Sequence, residues 1–393
     1  MLIRFTKTEL YVSIMCIGLL FFPSILRTRI WDNAVTDINM LAMGALLILQ
    51  KKACVHKYNR GTFAFFSILL WVSFLLLSMY RRDYLTCALV AATILLPTYF
   101  INIRFRDDKV IECTYVWVRT LKICTVIMVS CGLIDYASNH AVSKFFADFY
   151  NVISLQRLSA ARRMVSYMGH ALLSGEVFLI TYVTVYLYRF VLKEKQDSLT
   201  WFIICFAGCV MTGSKACVVL IVIAFMLFHL SWKKQKYIII ALFALLLVYA
   251  TGIMDTFLSR FLLSVETNNL TTNRMSALKS LFEAGELNFS WFKGKNIDYG
   301  WKMVAALEFP ILRWAYQFGI MVSLCLTIIA FVMPVFSMIK LKVPKEFLYG
   351  ILVIIADVNT YNGLALTRDN MLIYCVSVIF VMNMALLFRR KKE

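Results

Sequence analysis

Apolar segments long enough to cross a lipid bilayer recur along the whole chain and leave little room for any other kind of fold. A helix needs about 20 apolar residues to span the hydrocarbon core, and twelve runs approach that length. They lie near residues 9–26, 34–49, 62–79, 84–101, 117–135, 171–191, 199–213, 215–231, 236–252, 309–333, 346–364 and 370–388. Hydrophobic residues make up 61% of the chain, against about 45–50% in soluble domains. The sequence therefore predicts an all-α, polytopic integral membrane protein with about twelve transmembrane helices in a single domain, 1–393.

Lysine and arginine residues form short clusters between the apolar runs and give the chain a net charge of +19. Clusters at 51–52, 104–109, 233–236 and 389–392 follow the positive-inside rule when both termini face the cytoplasm. Nucleic-acid binding requires a continuous basic patch or tail, and the basic residues of this chain form neither. We therefore expect membrane lipids as partners, and no nucleic acid.

Cysteine usage gives no sign of a metal or a disulfide framework. Most of the eleven cysteines fall inside apolar runs, with no CxxC spacing and no Cys/His cluster at ligand spacing. A buried cysteine usually behaves as a small hydrophobic residue. The sequence therefore predicts no metal site and no cofactor.

Two loops on the predicted outer side are longer than connectors need to be. The first covers 136–169 and the second covers 253–308. The second contains two apolar stretches at helical spacing, around 257–262 and 275–282, and Thr271-Thr272 precedes the latter as a candidate cap. We expect these stretches to form short helices at the membrane surface.

Three groups of ionisable residues lie where the chain enters or leaves the predicted membrane on this side. Arg162, Arg163 and His170 end the first loop; guanidinium groups bind phosphate through forked donors, and a histidine can accept a proton. The alternative is that the arginines anchor to lipid headgroups and that His170 is an interfacial residue. Lys215 follows a Gly-Ser break between two apolar runs. It is either a snorkelling lysine or, with a helix N-terminus, part of an anion site.

The second long loop carries the third group. Arg274 opens a surface helix, where the helix dipole does not favour a cation, so a ligand or a carboxylate partner is expected. Glu308 and Arg313 lie at the membrane boundary, where ionisable groups are costly. A Glu308–Arg313 pair is the alternative, although their spacing suits a helix poorly. Asp357 lies within an apolar run near Arg368-Asp369-Asn370. We interpret it as a structural, internally paired carboxylate, with closure of the floor of the site as the alternative.

The positions of these groups resemble the motifs of the Wzy-type O-antigen and capsule polymerase and O-antigen ligase superfamily. The matching segments are Arg163…Gly169-His170…Gly175, Thr212-Gly213-Ser214-Lys215, Thr272-Asn273-Arg274 with Gly285 as an arginine-x10-glycine pattern, Gly294…Gly300, and Glu308…Arg313…Gly319-Ile320. Lys215 replaces the family's arginine, and Arg163 to Gly175 is one residue too long for the same arginine–glycine pattern. The histidine expected at the last segment is replaced by Glu308, which favours a polymerase over a ligase.

The resemblance implies a metal-independent glycosyltransferase of GT-C-like architecture in the bacterial cytoplasmic membrane. It would join undecaprenyl-diphosphate-linked repeat units, donor and acceptor, on the outer face, with a chain-length regulator and a flippase as further partners. Arg163 and Arg274, with Glu308 or His170 as base, would be catalytic, and Arg162, Lys215 and Arg313 would bind the diphosphate or sugar. The alternatives are an O-antigen ligase and a lipid-linked oligosaccharide flippase.

Overall fold

The computed structural model describes residues 6–31, 33–57, 60–193, 198–229, 274–296 and 301–390, with isolated positions at 258, 259 and 262. These ranges form 17 α-helices and one two-stranded antiparallel sheet, β1 (Cys54–Lys57) with β2 (Ile103–Phe105). The predicted run 236–252 and the first predicted surface helix near 257–262 lie outside the described residues, apart from those isolated positions.

The first six helices are α1 (Lys7–Leu20), α2 (Ser24–Ile30), α3 (Met40–Ala53), α4 (Arg60–Arg81), α5 (Tyr84–Phe100) and α6 (Asp107–Ala137). They are followed by α7 (Ala141–Tyr150), α8 (Ile153–Ala160), α9 (Ala171–Leu192), α10 (Ser198–Met211) and α11 (Lys215–His229). The last six are α12 (Arg274–Glu283), α13 (Trp301–Ala306), α14 (Pro310–Phe318), α15 (Ile320–Lys340), α16 (Lys345–Val358) and α17 (Asn370–Arg390).

Five of these helices are long and apolar enough to cross a membrane, namely α4, α6, α9, α15 and α17. The count rises to six if α1 and α2, which meet at 76°, form one broken span. Helices α3, α5, α10 and α11 are apolar but shorter. The protein is therefore an all-α, multi-pass membrane protein, and the full number of twelve spans stays a prediction.

Helices α9 and α17 form the centre of the bundle. All of the most apolar 18-residue window of α17 and 89% of that of α9 are buried, against 28% for α4. Helix α9 packs against α6, α10, α11, α16 and α17. Because α9 begins at Ala171, directly after the first long loop, the centre of the bundle also fixes the position of that loop.

Both ends of the described chain lie at one end of the bundle. The Thr6 hydroxyl donates to Glu112, and Arg390 pairs with Asp107, both on the first turns of α6. The starts of α9, α11 and α17 lie at the other end, together with the helices between α6 and α9. We call this second end the cavity end.

The predicted span 309–333 is two helices in the structure, so this boundary was wrong. Gly319, with φ of +88°, separates α14 from α15. The Ile320 amide donates to the Ser290 carbonyl at 2.9 Å, and the Met321 amide donates to Trp291 at 3.0 Å. The membrane-spanning helix therefore starts at Ile320 and runs to Lys340, and α14 is a short amphipathic helix beside it.

Substitution of Gly294 should disrupt the contact between the second long loop and the junction of α14 with α15. A Cβ at Gly294 would lie 1.7 Å from the Gln317 carbonyl oxygen, and the neighbouring Lys295 amide donates to Tyr316 at 2.8 Å. We expect Gly294→Ala to lower the free energy of unfolding by at least about 2 kcal/mol, measured as thermal stability in detergent. Gly61→Ala is the control, since Gly61 has a helical backbone in α4 and no atom lies within 4 Å of its Cβ position. Equal stability of Gly294→Ala and the parent protein would contradict the contact.

Candidate functional site

A cavity of about 360 Å³ opens at the cavity end and gathers most of the ionisable residues singled out in the sequence. Arg163, His170, Lys215, Arg274 and Glu308 all line it, although they are spread over 146 positions of the chain. Leu158, Leu172, Thr360 and the 213–216 turn complete the lining. The residues come together because each one lies where a helix of the bundle begins or ends.

Arg163 is held by the turn between α10 and α11. Its Nε donates to the Thr212 carbonyl at 2.8 Å, and the next amide, of Met164, donates to Met211 at 3.0 Å. These bonds attach the end of the first long loop to the α10–α11 turn. Arg163 and Lys215 consequently line the same cavity from two separate segments.

Lys215 occupies the first position of α11. Gly213 takes φ of +63°, which a glycine adopts without steric penalty, and the Ser214 hydroxyl accepts from the Cys217 amide at 3.4 Å. The chain therefore turns sharply out of α10 and starts a 15-residue helix at the cavity wall. Helix α9 also starts there, directly after His170. The N-termini of two long helices add partial positive charge to that of the lysine.

Arg274 and Glu308 form an ion pair across the second long loop. A second nitrogen of Arg274 donates to the Thr360 carbonyl at 2.6 Å, so the arginine joins α12 to the end of α16. This pair supplies the carboxylate partner that the position of Arg274 predicted. Burial raises the pKa of Glu308, and the charges of Arg274, Arg163 and Arg313 offset part of that rise.

His170 is held as a neutral ring. Its Nδ1 accepts a hydrogen bond from the Leu172 amide at 3.2 Å as the N-cap of α9, so the other ring nitrogen carries the proton. Burial, reinforced by the charges of Arg163 and Arg368, lowers its pKa to about 4. In this tautomer His170 is a hydrogen-bond donor, whereas the sequence suggested a proton acceptor. Glu308 is the group in the cavity with the chemistry of a base.

The charges of the cavity suit an anion. Arg163, Lys215 and Arg274 are cationic, Glu308 is the one carboxylate among the lining residues, and His170 is neutral. Two arginines with planar, forked donors and a lysine with a compact ammonium are a combination that binds phosphate groups well. Within the described ranges, no three His, Cys, Asp or Glu side chains lie close enough to hold a metal ion.

Two predicted ligand-binding residues do not line this cavity. Arg162 takes φ of +52° and lines a separate hollow on the other side of α8. Arg313 lies on α14, where its Nε donates to the Gln317 side chain at 3.2 Å, and its charge acts on Glu308 from there.

A buried polar group behind the cavity was missed by the sequence reasoning. Glu176, 1% exposed, accepts a hydrogen bond from the Tyr361 hydroxyl, which also accepts from Asn370 at 2.9 Å. Asp357, also 1% exposed, accepts from the Cys217 thiol at 3.1 Å. The signal for Glu176 was present, since it is the one charged residue between 171 and 188. This group ties α9, α11, α16 and α17 together directly behind the cavity.

No protein-family model matches the chain, and no curated protein matches it at a significant level of similarity. The candidate site therefore depends on its geometry and charge.

Proposed function

We propose that this protein is a polysaccharide polymerase that joins undecaprenyl-diphosphate-linked repeat units into an O-antigen or capsular polysaccharide. The observation that carries the proposal is the cavity, in which three cationic side chains and two helix N-termini surround one carboxylate at the end of a membrane bundle. This arrangement suits a lipid diphosphate at membrane-surface depth. The resemblance to Wzy-type polymerases assigns the same residues to such a substrate.

The reaction needs a base and a site for the leaving group. A hydroxyl oxygen of the acceptor sugar attacks the anomeric carbon of the donor, the bond from that carbon to the diphosphate oxygen breaks, and a glycosidic bond forms. Arg163, Lys215 and Arg274 neutralise the charge that grows on the leaving diphosphate. Glu308 accepts the hydroxyl proton. Once protonated, Glu308 no longer neutralises Arg274, so the proton transfer strengthens the binding of the diphosphate at the moment it leaves.

The proposed setting follows from the predicted topology. Twelve spans of GT-C-like architecture would place both termini in the cytoplasm and the cavity on the outer face of the bacterial cytoplasmic membrane. A flippase would deliver the lipid-linked units to that face, and a chain-length regulator would limit the product. Transporters generally bind their substrates near the middle of the bilayer, so a cavity at the end of the bundle favours an enzyme over a flippase.

The test is the size profile of surface polysaccharide in a strain that lacks the gene. The proposal expects a single repeat unit on the lipid acceptor, with all longer chains lost, and recovery of the ladder when the gene is restored. Trapping of lipid-linked units inside the cell would instead indicate a flippase. Long chains that accumulate on the carrier without transfer would indicate a ligase, and either result would overturn the polymerase.

The pH dependence of polymerisation tests the role of Glu308. Because burial raises its pKa, the carboxylate becomes protonated, and inactive as a base, at a higher pH than the usual value of about 4.3. We expect the initial rate to fall as the pH drops through this raised pKa. In Glu308→Gln we expect a rate lower by about 10²-fold or more, without that acidic limb.

The measurement is chain growth from lipid-linked repeats in nanodiscs between pH 4 and 8. Glu283→Gln is the matched control, because Glu283 is an exposed residue of α12 whose nearest cation is Lys279 at 3.8 Å. An acidic limb that persists in Glu308→Gln would assign the proton transfer to another group.

A further inference from the structure

A second hollow, distinct from the cavity, lies in the first long loop between α6 and α8. Its volume is about 470 Å³, and most of its lining residues have polar or charged side chains. The lining side chains that matter here are Asn139, His140, Lys144, Asp148, Gln156 and Arg162. The proposed reaction uses none of them, apart from the sequence-based expectation that Arg162 binds substrate.

The hollow and the cavity share one wall. Leu158 of α8 and Arg163 line the cavity, whereas Gln156 of α8 and Arg162 line the hollow. Arg162 and Arg163 are consecutive residues, and the left-handed backbone of Arg162 (φ +52°) sends their side chains to opposite sides. The two sites are therefore separated by about one helix diameter, about 10 Å.

The wall of the hollow is fixed by a buried carboxylate. Asp135, with a side chain 3% exposed, accepts from the Ser143 amide at 2.6 Å and its hydroxyl at 2.7 Å, and lies 3.0 Å from His140 Nδ1. Because a carboxylate only accepts, Nδ1 of the imidazole is the donor and Nε2 remains as an acceptor in the neutral ring. The Val165 amide also donates to the Ser143 hydroxyl at 2.9 Å. The Asp135 carboxylate, itself fixed by Ser143, thus holds the imidazole of His140 in one orientation.

The backbone around the hollow is strained. Asn139, His140 and Arg162 all have φ between +51° and +67°, and Asn151 in the α7–α8 turn has φ of +52°. Non-glycine residues in this region cost of order 1 kcal/mol each, and such strain collects at binding sites. Four of the seven left-handed non-glycine residues in the described chain belong to this loop. All four lie where a helix of the loop begins or ends, so these turns fix the positions of α6, α7 and α8 around the hollow.

The chemistry of the lining identifies the class of ligand. Lys144 and Arg162 donate, Asp148 and His140 accept, and the Asn139 and Gln156 amides do both. A ligand with many hydroxyl groups, each a donor and an acceptor, satisfies such a mixture. An anionic lipid headgroup satisfies the two cations but is repelled by Asp148.

We propose that this hollow binds the saccharide part of a lipid-linked repeat unit while the diphosphate occupies the cavity. This inference rests on the proposed polymerase function and adds to it a saccharide subsite made of Arg162, Asp148, Gln156 and His140. Helix α7, which supplies Lys144 and Asp148 to the hollow, also carries Phe145, 63% exposed and stacked on Phe149 with ring centroids 6.1 Å apart.

The test measures binding of a lipid-free glycan. The probe is the oligosaccharide repeat released from its carrier by mild acid and freed of phosphate, titrated by saturation-transfer NMR against the full-length protein in nanodiscs of neutral lipid. We expect Arg162→Ala and Asp148→Ala each to weaken binding about tenfold, which corresponds to the loss of one charge-assisted hydrogen bond. Arg157→Ala is the matched control and should bind like the parent, because Arg157 is an exposed arginine of α8 that lines neither site.

A parallel titration with phosphatidylglycerol distinguishes a lipid headgroup from a sugar. Asp148→Ala should strengthen the binding of the phospholipid headgroup but weaken the binding of the glycan. The same variant therefore changes the affinity in opposite directions for the two ligands. Tighter phosphatidylglycerol binding in Asp148→Ala, together with unchanged glycan binding, would overturn the saccharide site. Equal glycan binding in all variants would also overturn it, and the polymerase proposal would stand if the deletion strain still lost its long chains. A deletion strain with a normal ladder would overturn both.

Discussion

Replacing Arg163 or Arg274 by alanine should abolish long polysaccharide chains while leaving the protein in the membrane at its normal level. Each guanidinium lines the cavity proposed to hold the leaving diphosphate, and the loss of one such donor typically slows a reaction by about 10²–10³-fold. The readout is the polysaccharide ladder of a deletion strain that carries each variant, with the amount of protein measured by immunoblot. We expect the single-repeat band to remain and the ladder above it to disappear.

The two substitutions differ in what they leave behind. Arg274→Ala removes the ion-pair partner of Glu308 and the bond to the Thr360 carbonyl, so it also raises the pKa of Glu308 further. Because the pair acts as a unit, the losses in the two single variants should not simply combine. The relative activity of Arg274→Ala/Glu308→Gln should therefore be at least as high as the product of the relative activities of the two single variants. Arg163→Lys keeps the charge but loses the Nε donor to Thr212 and should restore only part of the ladder.

Arg157→Ala is again the control, since this arginine is exposed and its side chain is not among those that line the cavity. A full ladder in both Arg163→Ala and Arg274→Ala would show that the cavity does not carry the reaction.

Removing Asp369 should cause the largest loss of stability of any single substitution at the cavity end. Its two carboxylate oxygens accept from two nitrogens of Arg27, each at 2.9 Å, with side chains 10% and 3% exposed. The Ser24 amide adds a bond of 2.8 Å to the same carboxylate. Asp369→Ala would leave the buried guanidinium without the carboxylate it is hydrogen-bonded to, and breaking such a pair costs about 3–5 kcal/mol.

The matched comparison is the exposed pair between Asp107 and Arg390, with side chains 43% and 47% exposed. Asp107→Ala should change stability by no more than about 1 kcal/mol. Thermal denaturation of both variants in the same detergent supplies the measurement. The double variant Arg27→Met/Asp369→Leu should recover most of the loss, because no unpaired charge remains. Similar losses in Asp369→Ala and Asp107→Ala would show that the buried pair adds nothing to stability.

The apolar runs predicted the helical class and the approximate positions of the long apolar helices, because burial in lipid requires that composition. They did not predict the short helices α7, α8 and α13, which lie within the two long loops. They failed at Gly319, where the composition stays apolar on both sides of the break between α14 and α15. That break is made by backbone hydrogen bonds from Ile320 and Met321 to the second long loop. Contacts between residues that are distant in sequence leave no trace in local hydrophobicity.

The identity of the site residues could be predicted from the sequence better than the directions of their side chains. Five of the seven selected residues share a cavity because each one is ionisable and lies at a membrane boundary, where such residues are costly. The opposite directions of Arg162 and Arg163 could not be predicted, since they depend on one left-handed residue held by tertiary contacts. Helix capping likewise fixes the ring of His170, and no pattern of residue types distinguishes a capping histidine from a catalytic one.

The buried pair of Arg27 and Asp369 also sets an order of assembly. The two residues are 342 positions apart, so Arg27 on α2 has no Asp369 to pair with until the chain reaches the start of α17. At the usual rate of about 5–20 residues per second, synthesis of that stretch takes roughly 17 to 70 s. Until then Arg27 lacks the carboxylate that accepts two of its hydrogen bonds, and the segment that leads into the last helix supplies it. A chain truncated before Asp369 should accordingly be degraded as an unfinished protein, even though all of its other described spans are present.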